Sequence, residues 1–245
     1  MSRIYINGIS SISPQPEDIF DNGLIKEYQE NIISALDQDY KSEIKPMMLR
    51  RMSKAVKMGL FSAKKALQDA RTELPDAIIV GTGQGCLQDT EKFMESMLSE
   101  NEGLLSPTSF IQSTHNTVGG QIALDLKCTG YNMTYTQNSV SFESALLDAL
   151  LKLKSEKDHR NILVGGVDET SPEFTGFQRL DGQLKQEMIR NTELLDLKTQ
   201  GSIFSETSNF FVLGPGISEH SYAELIDTTI INSIEAEGLE EKRTE

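Results

Sequence analysis

A short β-prone run, Asn132 to Thr136, meets a polar corner at Gln137-Asn138-Ser139 and passes directly into an apolar helix. In that helix Ala145, Leu146, Ala149, Leu150 and Leu153 recur three or four positions apart, the period of one buried face. A strand that turns straight into a buried helix sets its corner residues against free backbone N–H groups and the positive end of the helix dipole. Such a corner suits a nucleophile, because charge that develops there is stabilised. A second constellation is Gly81-Thr82-Gly83-Gln84-Gly85, which follows the strand-like Asp76 to Val80. A glycine-rich turn after a strand can cradle a phosphate. This one has neither dinucleotide-fingerprint spacing nor a following Lys-Ser/Thr, so it reads as a tight turn that needs glycine conformations. The third is basic: Lys45, Arg50, Arg51, Lys54, Lys57, Lys64 and Lys65 lie close together in a chain of net charge −14. It is either a solvated helix face or a docking patch for an acidic partner. Cys86, Cys128, His115, His159 and His220 are too scattered for a metal cluster, and neither a metal nor a cofactor is expected.

The elements that must position these residues are legible as an α/β pattern. The 245 residues are 38% hydrophobic and 24% charged, which suits a globular domain with an ample core. An excess of 37 acidic over 23 basic residues argues against nucleic acid as a partner. No apolar run reaches the roughly 18 residues of a membrane span. The start of the chain lacks a signal-peptide pattern, so a cytoplasmic location is expected. Residues 1–234 read as one domain and 235–245 as a charged tail. A first strand is expected over Arg3 to Ile12, ended by Pro14 and Pro16, with a surface excursion over 17–45. Leu49, Met52, Val56, Leu60, Ala63, Leu67 and Ala70 predict one long helix over Met47 to Arg71. Helices are expected over Asp89 to Glu100 and Thr117 to Lys127, the second capped by Gly130. A buried strand follows at Arg160 to Val167, then an irregular polar stretch over 170–200. Gly201 to Leu213 and Tyr222 to Ile231 read as two adjacent strands. The order suggests a layered mixed sheet with helices and a central buried elbow helix.

Seven stretches in order carry a resemblance: RRMSKAVKMGLFSAKKALQDA, IIVGTGQG, SPTSFIQSTHNTVGGQIAL, YTQNSVSFESAL, ILVGGVDE, FFVLG and YAELID. Together the chain resembles the N-terminal half of β-ketoacyl-ACP synthases, with their thiolase-like fold. It looks most like a short homologue of the chain-length-factor type. The resemblance implies that Ser139 stands where the family's elbow carries its cysteine nucleophile. It also implies that the histidine pair of the family's C-terminal half is absent here. A non-catalytic subunit follows, one that pairs with a full-length ketosynthase or with itself. It would serve fatty-acid or polyketide synthesis, with aryl-polyene pigment pathways as the nearest likeness. The resemblance places Lys45, Arg50 and Arg51 in acyl carrier protein docking, and Phe142 and Asn138 in an acyl pocket.

Two other readings stand beside it. In the first, Ser139 is a nucleophile with His115 as base and Asp168 as orienter, giving a small acyltransferase or hydrolase. A thiol at a helix N-terminus ionises readily, whereas a serine hydroxyl needs a neighbouring base. No G-x-S-x-G sequence surrounds Ser139, and capping of the elbow helix is its simpler role. His115 is read first as a structural hydrogen-bonding residue and Phe110 as core. The second alternative is a lone module that binds carrier protein or acyl chains.

Overall fold

The computed structural model describes residues 3–100, 103, 105–155 and 160–230. The chain forms β1 (Tyr5–Ile12), α1 (Ile19–Asn22), β2 (Ile32–Ile33), α2 (Pro46–Leu49), α3 (Lys54–Asp69), β3 (Ala77–Gly81) and α4 (Leu87–Ser99). It continues with α5 (Pro107–Gln112), α6 (Thr117–Leu126), β4 (Tyr131–Tyr135), α7 (Ser141–Ser155), β5 (Ile162–Asp168) and α8 (Pro172–Leu180). The last described strands are β6 (Phe204–Ser205), β7 (Thr207–Gly214) and β8 (Ala223–Glu224). The main sheet runs β4-β3-β5-β7-β1-β8. Strands β4, β3 and β5 are mutually parallel, and β7, β1 and β8 add antiparallel pairs.

The residue types explain the layering. β3 reads AIIVG and is buried throughout, as a strand covered on both faces must be. Its pleat sends Ile78 and Val80 to one face and Ile79 to the other. On the first face Ile78 and Val80 join Val56, Leu60 and Leu67 of α3, Val118 and Ile122 of α6, and Phe210 and Val212 of β7. On the second, Ile79 joins Ala145, Ala149 and Leu150 of α7, with Val164 and Leu213. The sheet is thus mixed and layered by helices, with the elbow helix α7 seated on its central strands. The outer side of α7 leaves Leu151 57% exposed.

Several elements depart from the sequence pattern. The long helix over Met47 to Arg71 is two. α2 stops at Leu49, Arg50-Arg51 turn, and Ser53 caps α3 by accepting a hydrogen bond from Val56 N at 3.3 Å. A local serine cap overrides an apolar repeat that runs through the break. Gly130 does not end α6. Lys127 takes the left-handed conformation, with φ 56°, one position after the helix. FFVLG and YAELID are not neighbours, because β1 lies between β7 and β8. The run Gly201 to Leu213 splits at Glu206. β6 leaves to pair with β2 in a separate parallel ribbon, while Glu206 is buried and held by Lys54. The stretch 170–200 contains α8, opened by Pro172 in its first turn. Phe110 is 56% exposed and packs on Phe93 rather than in the core. The expected charged tail lies outside the described residues.

Candidate functional site

The corner between β4 and α7 closes through hydroxyls one turn further along than Ser139. Ser141 Oγ donates to Asn138 O at 2.8 Å and accepts from Gln137 N at 2.7 Å. Ser144 Oγ donates to Val140 O at 2.8 Å and also to the Gln137 side-chain oxygen. Asn138 takes φ 50°, a left-handed conformation that asparagine tolerates better than most residues. The expected cap by Ser139 is not among these bonds; Ser141 ties the turn before α7 rather than an N–H within it. Ser139 itself is exposed and makes no hydrogen bond among the described residues. It stands with Asn138 on the wall of a cavity of about 730 Å³.

The opposite wall is built where β3 and β5 end. Asp168 Oδ1 accepts from Thr82 Oγ1 at 3.0 Å and from Gly83 N at 2.8 Å, and Thr82 Oγ1 accepts from Gly85 N at 2.9 Å. The glycine run allows close approach of the facing backbone. A Cβ on Gly81 would lie 2.6 Å from Ser141 O, and one on Gly83 would lie 3.4 Å from Asp168 Oδ1 and 3.6 Å from Asn138 O. Burial raises the Asp168 carboxyl above its ordinary range, against the hydrogen bonds from Gly83, Thr82 and Gln84. Beside it, Glu169 is 5% exposed. Its carboxylate accepts from Ala55 N at 3.1 Å and Gln88 N at 2.9 Å, so one side chain holds the first turns of α3 and α4. Burial pushes Glu169 up to about 7, with Asp89 and Glu206 adding repulsion. The rest of the wall is largely amide and hydroxyl, including Gln84, Gln178, Gln183, Thr175, Ser205 and Thr207, with Leu87, Phe174, Ile203 and Phe204 as its apolar part.

The structure thus brings Ser139, Asn138 and Asp168 to one cavity and leaves His115 out of its lining. His115 is exposed and its ring abuts the backbone of Gly85, where a Cβ would come within 3.1 Å of Cδ2. Phe142 also lies off the cavity wall. It packs on Phe211 with ring centroids 5.8 Å apart, below Gly166 on the α7 side of the sheet. The basic stretch divides in two. Lys54 pairs with Glu206, Lys64 with Asp125 at 3.0 Å, and Lys65 with Glu43 at 2.8 Å. Lys45, Arg50 and Arg51 flank α2, are exposed, and make no ion pair among the described residues. Glu169 and Glu206 went unnoticed in the sequence. The available signal was the acidic pair Asp168-Glu169 directly after the buried strand ILVGGV, and an acidic residue inside the strand-prone run SIFSETSNFF. Among the described residues no group of His, Cys, Asp and Glu could hold a metal ion.

The family model for the β-ketoacyl synthase N-terminal domain matches residues 26–188. The chain belongs to this family. Solved ketosynthase structures share its fold. The ishigamide ketosynthase/chain length factor superposes with a TM-score of 0.71 at 18% identity, covering 87% of this chain and 58% of that one. AntDE:AntF, a type II polyketide acyl carrier protein in complex with its ketosynthase, gives a TM-score of 0.67 at 18% identity, with 87% and 62% covered. The ketosynthase ApeO in complex with its chain length factor ApeC from Xenorhabdus doucetiae gives 0.57 at 18% identity, with 87% and 79% covered. The chain therefore spans about three fifths of the length of the first two. Curated protein sequences give no match. In this β-ketoacyl synthase N-terminal domain the matched residues run from β2 to α8, so the β4–α7 corner, the Gly81–Gly85 turn and the Asp168-Glu169 pair all lie inside the family region. Among the described residues no helix is long and apolar enough to cross a membrane.

Proposed function

We propose that the chain is a non-catalytic, chain-length-factor-like subunit of a fatty-acid or polyketide ketosynthase. It pairs with a full-length ketosynthase or a second copy of itself, binds acyl carrier protein, and works in the cytoplasm. The observation that supports it is the corner: Ser139, which the resemblance sets at the family's nucleophile position, lines the cavity without a hydrogen-bonded base among the described residues, and His115 is absent from the cavity lining. A serine so placed is not activated. Residues 1–234 act as one domain in this reading, and the aryl-polyene context rests on resemblance to proteins of such pathways.

The pairing surface fits the edge of the sheet. β4 is the first strand of the order, and its sequence YNMTY carries neither charge nor proline. An edge without those guards is open to another strand. Large apolar side chains stand exposed on the elements beside it: Met133 on β4, Leu124 at 71% on α6, and Leu151 at 57% on α7. Exposed apolar side chains gathered around an open sheet edge favour an interface there. Carrier protein is acidic in this reading and meets the unpaired Lys45, Arg50 and Arg51. Affinity co-purification from cells that also make a full-length ketosynthase tests the reading. Retention of the ketosynthase supports it, and a chain recovered alone and monomeric overturns it.

A further inference from the structure

α4 is 13 residues long and amphipathic, yet none of its residues is buried. A helix of that length is marginal on its own and draws its stability from tertiary packing. The packing it has is partial. Phe93 meets Phe110 of α5 with ring centroids 5.5 Å apart. The carboxylate of Glu91 accepts from Ser171 Oγ at 2.6 Å and Phe174 N at 2.8 Å, at the start of α8. Met94 and Leu98 follow one another at i, i+4 and so share a row on the helix surface. Met94 is 45% and Leu98 73% exposed. α5, held alongside by Phe110, adds the exposed Ile111. The rim of this apolar face is acidic. Glu91 and Glu95 form the adjoining i, i+4 row, and Glu100 closes the last turn, where the helix carbonyls add a negative dipole end. Lys92 is the one cation of α4 and falls on a different row.

We propose that the α4–α5 face binds a basic amphipathic helix of a partner protein. The apolar side chains of that helix sit on Met94, Leu98 and Ile111, and its lysines or arginines pair with Glu95 and Glu100. Charge selects this occupant. A second copy of the chain would bring two acidic rows together, and an acidic carrier protein would be repelled. The field of a chain of net charge −14 draws cations in the same sense. Shape fits as well. Met94 and Met97 are unbranched and polarizable, so the surface can adapt to side chains of several sizes. An amphipathic helix presents its apolar anchors at i, i+3, i+4 and i+7, a row that lies along the Met94–Leu98 row. None of these residues belongs to β4, α6 or α7, so this binding does not depend on the pairing proposed above.

The test titrates the full chain into a synthetic helical peptide of leucine and lysine, with its leucines at i, i+3, i+4 and i+7 and one tryptophan among them. Emission of that tryptophan reads binding without background, because the chain has none. Saturable one-to-one binding is expected. A peptide of the same composition with its leucines scattered round the helix should bind about tenfold more weakly, and so should the first peptide to the double variant Met94→Asp, Leu98→Asp. Reversal of Glu95 and Glu100 to Lys leaves the apolar side chains in place, should weaken binding by about the same factor, and decides the matter if the first variant does not fold. No binding of the amphipathic peptide, equal binding of the two peptides, or full affinity in either folded variant overturns the proposal. Self-association of the chain that is lost in Met94→Asp, Leu98→Asp while peptide affinity stays unchanged would give the face to a second copy and overturns it too.

Discussion

At the scale of single residues, the corner separates position from role. In the proposed reading Ser139 holds the place of a nucleophile, yet it makes no side-chain hydrogen bond among the described residues, whereas Ser141 ties two backbone groups of the turn. Ser139→Ala should leave stability within about 0.5 kcal/mol of wild type, and Ser141→Ala should cost about 1–2 kcal/mol. Urea unfolding followed by far-UV circular dichroism measures both, which suits a chain without tryptophan. The place of Ser139 was legible because a strand, a polar corner and an apolar helix leave a clear pattern. The work of Ser141 was not, since it depends on the left-handed Asn138 that turns its carbonyl toward the hydroxyl. Glu169 gives a second prediction. Its folded value of about 7 lies above its ordinary 4.5, so the neutral form is favoured on folding. Its contribution is fully present below about pH 4.5 and is lost as pH rises through 7. Relative to Glu169→Gln, the wild type should lose on the order of 3 kcal/mol between pH 4.5 and 7.5, measured by the same unfolding experiment at each pH. Equal pH dependence in the two proteins would contradict this.

Among elements, the buried strands β3 and β5 and the elbow helix stand where apolar periodicity places them, because burial on both faces leaves no alternative for AIIVG or ILVGGVD. Two of the misplaced boundaries are set in part by distant partners. α3 begins at Lys54 because Ser53 caps it and Glu169 reaches its second N–H from 114 residues away. β6 and β7 part at Glu206 because its carboxylate is bound by Lys54 and by Ala35 N at 3.1 Å. α8 is short, and its apolar stripe of Phe174, Phe177 and Leu180 is left half-buried or exposed, with Thr175 its one buried residue. Ser53→Ala should cost about 1 kcal/mol of stability, the usual value of an N-cap, and fray α3. Thermal unfolding and the exchange of the Val56 amide measure it. A loss under a few tenths of a kcal/mol would mean that Glu169 alone fixes the start of this helix.

For the whole molecule, charge and apolar surface divide the work. A chain of net charge −14 keeps Lys45, Arg50 and Arg51 without an ion pair among the described residues, while Lys54, Lys64 and Lys65 of α3 are paired internally. Reversal of both Arg50 and Arg51 to Glu should weaken carrier-protein binding tenfold or more. The wild-type affinity should fall as salt rises from 0.05 to about 0.5 M, since exposed pairs are screened. Unchanged binding by calorimetry would remove the docking role from this surface. The sheet edge carries the central claim, that the domain is a pairing subunit. The most direct measurement is the molecular mass of the chain by light scattering during size-exclusion chromatography, alone and with a co-expressed full-length ketosynthase, for wild type and for Met133→Asp. The expected result is a dimer or a one-to-one complex for wild type, and a monomer for Met133→Asp that keeps its far-UV spectrum. A wild-type chain that stays monomeric at every concentration and passes separately from the ketosynthase would contradict it.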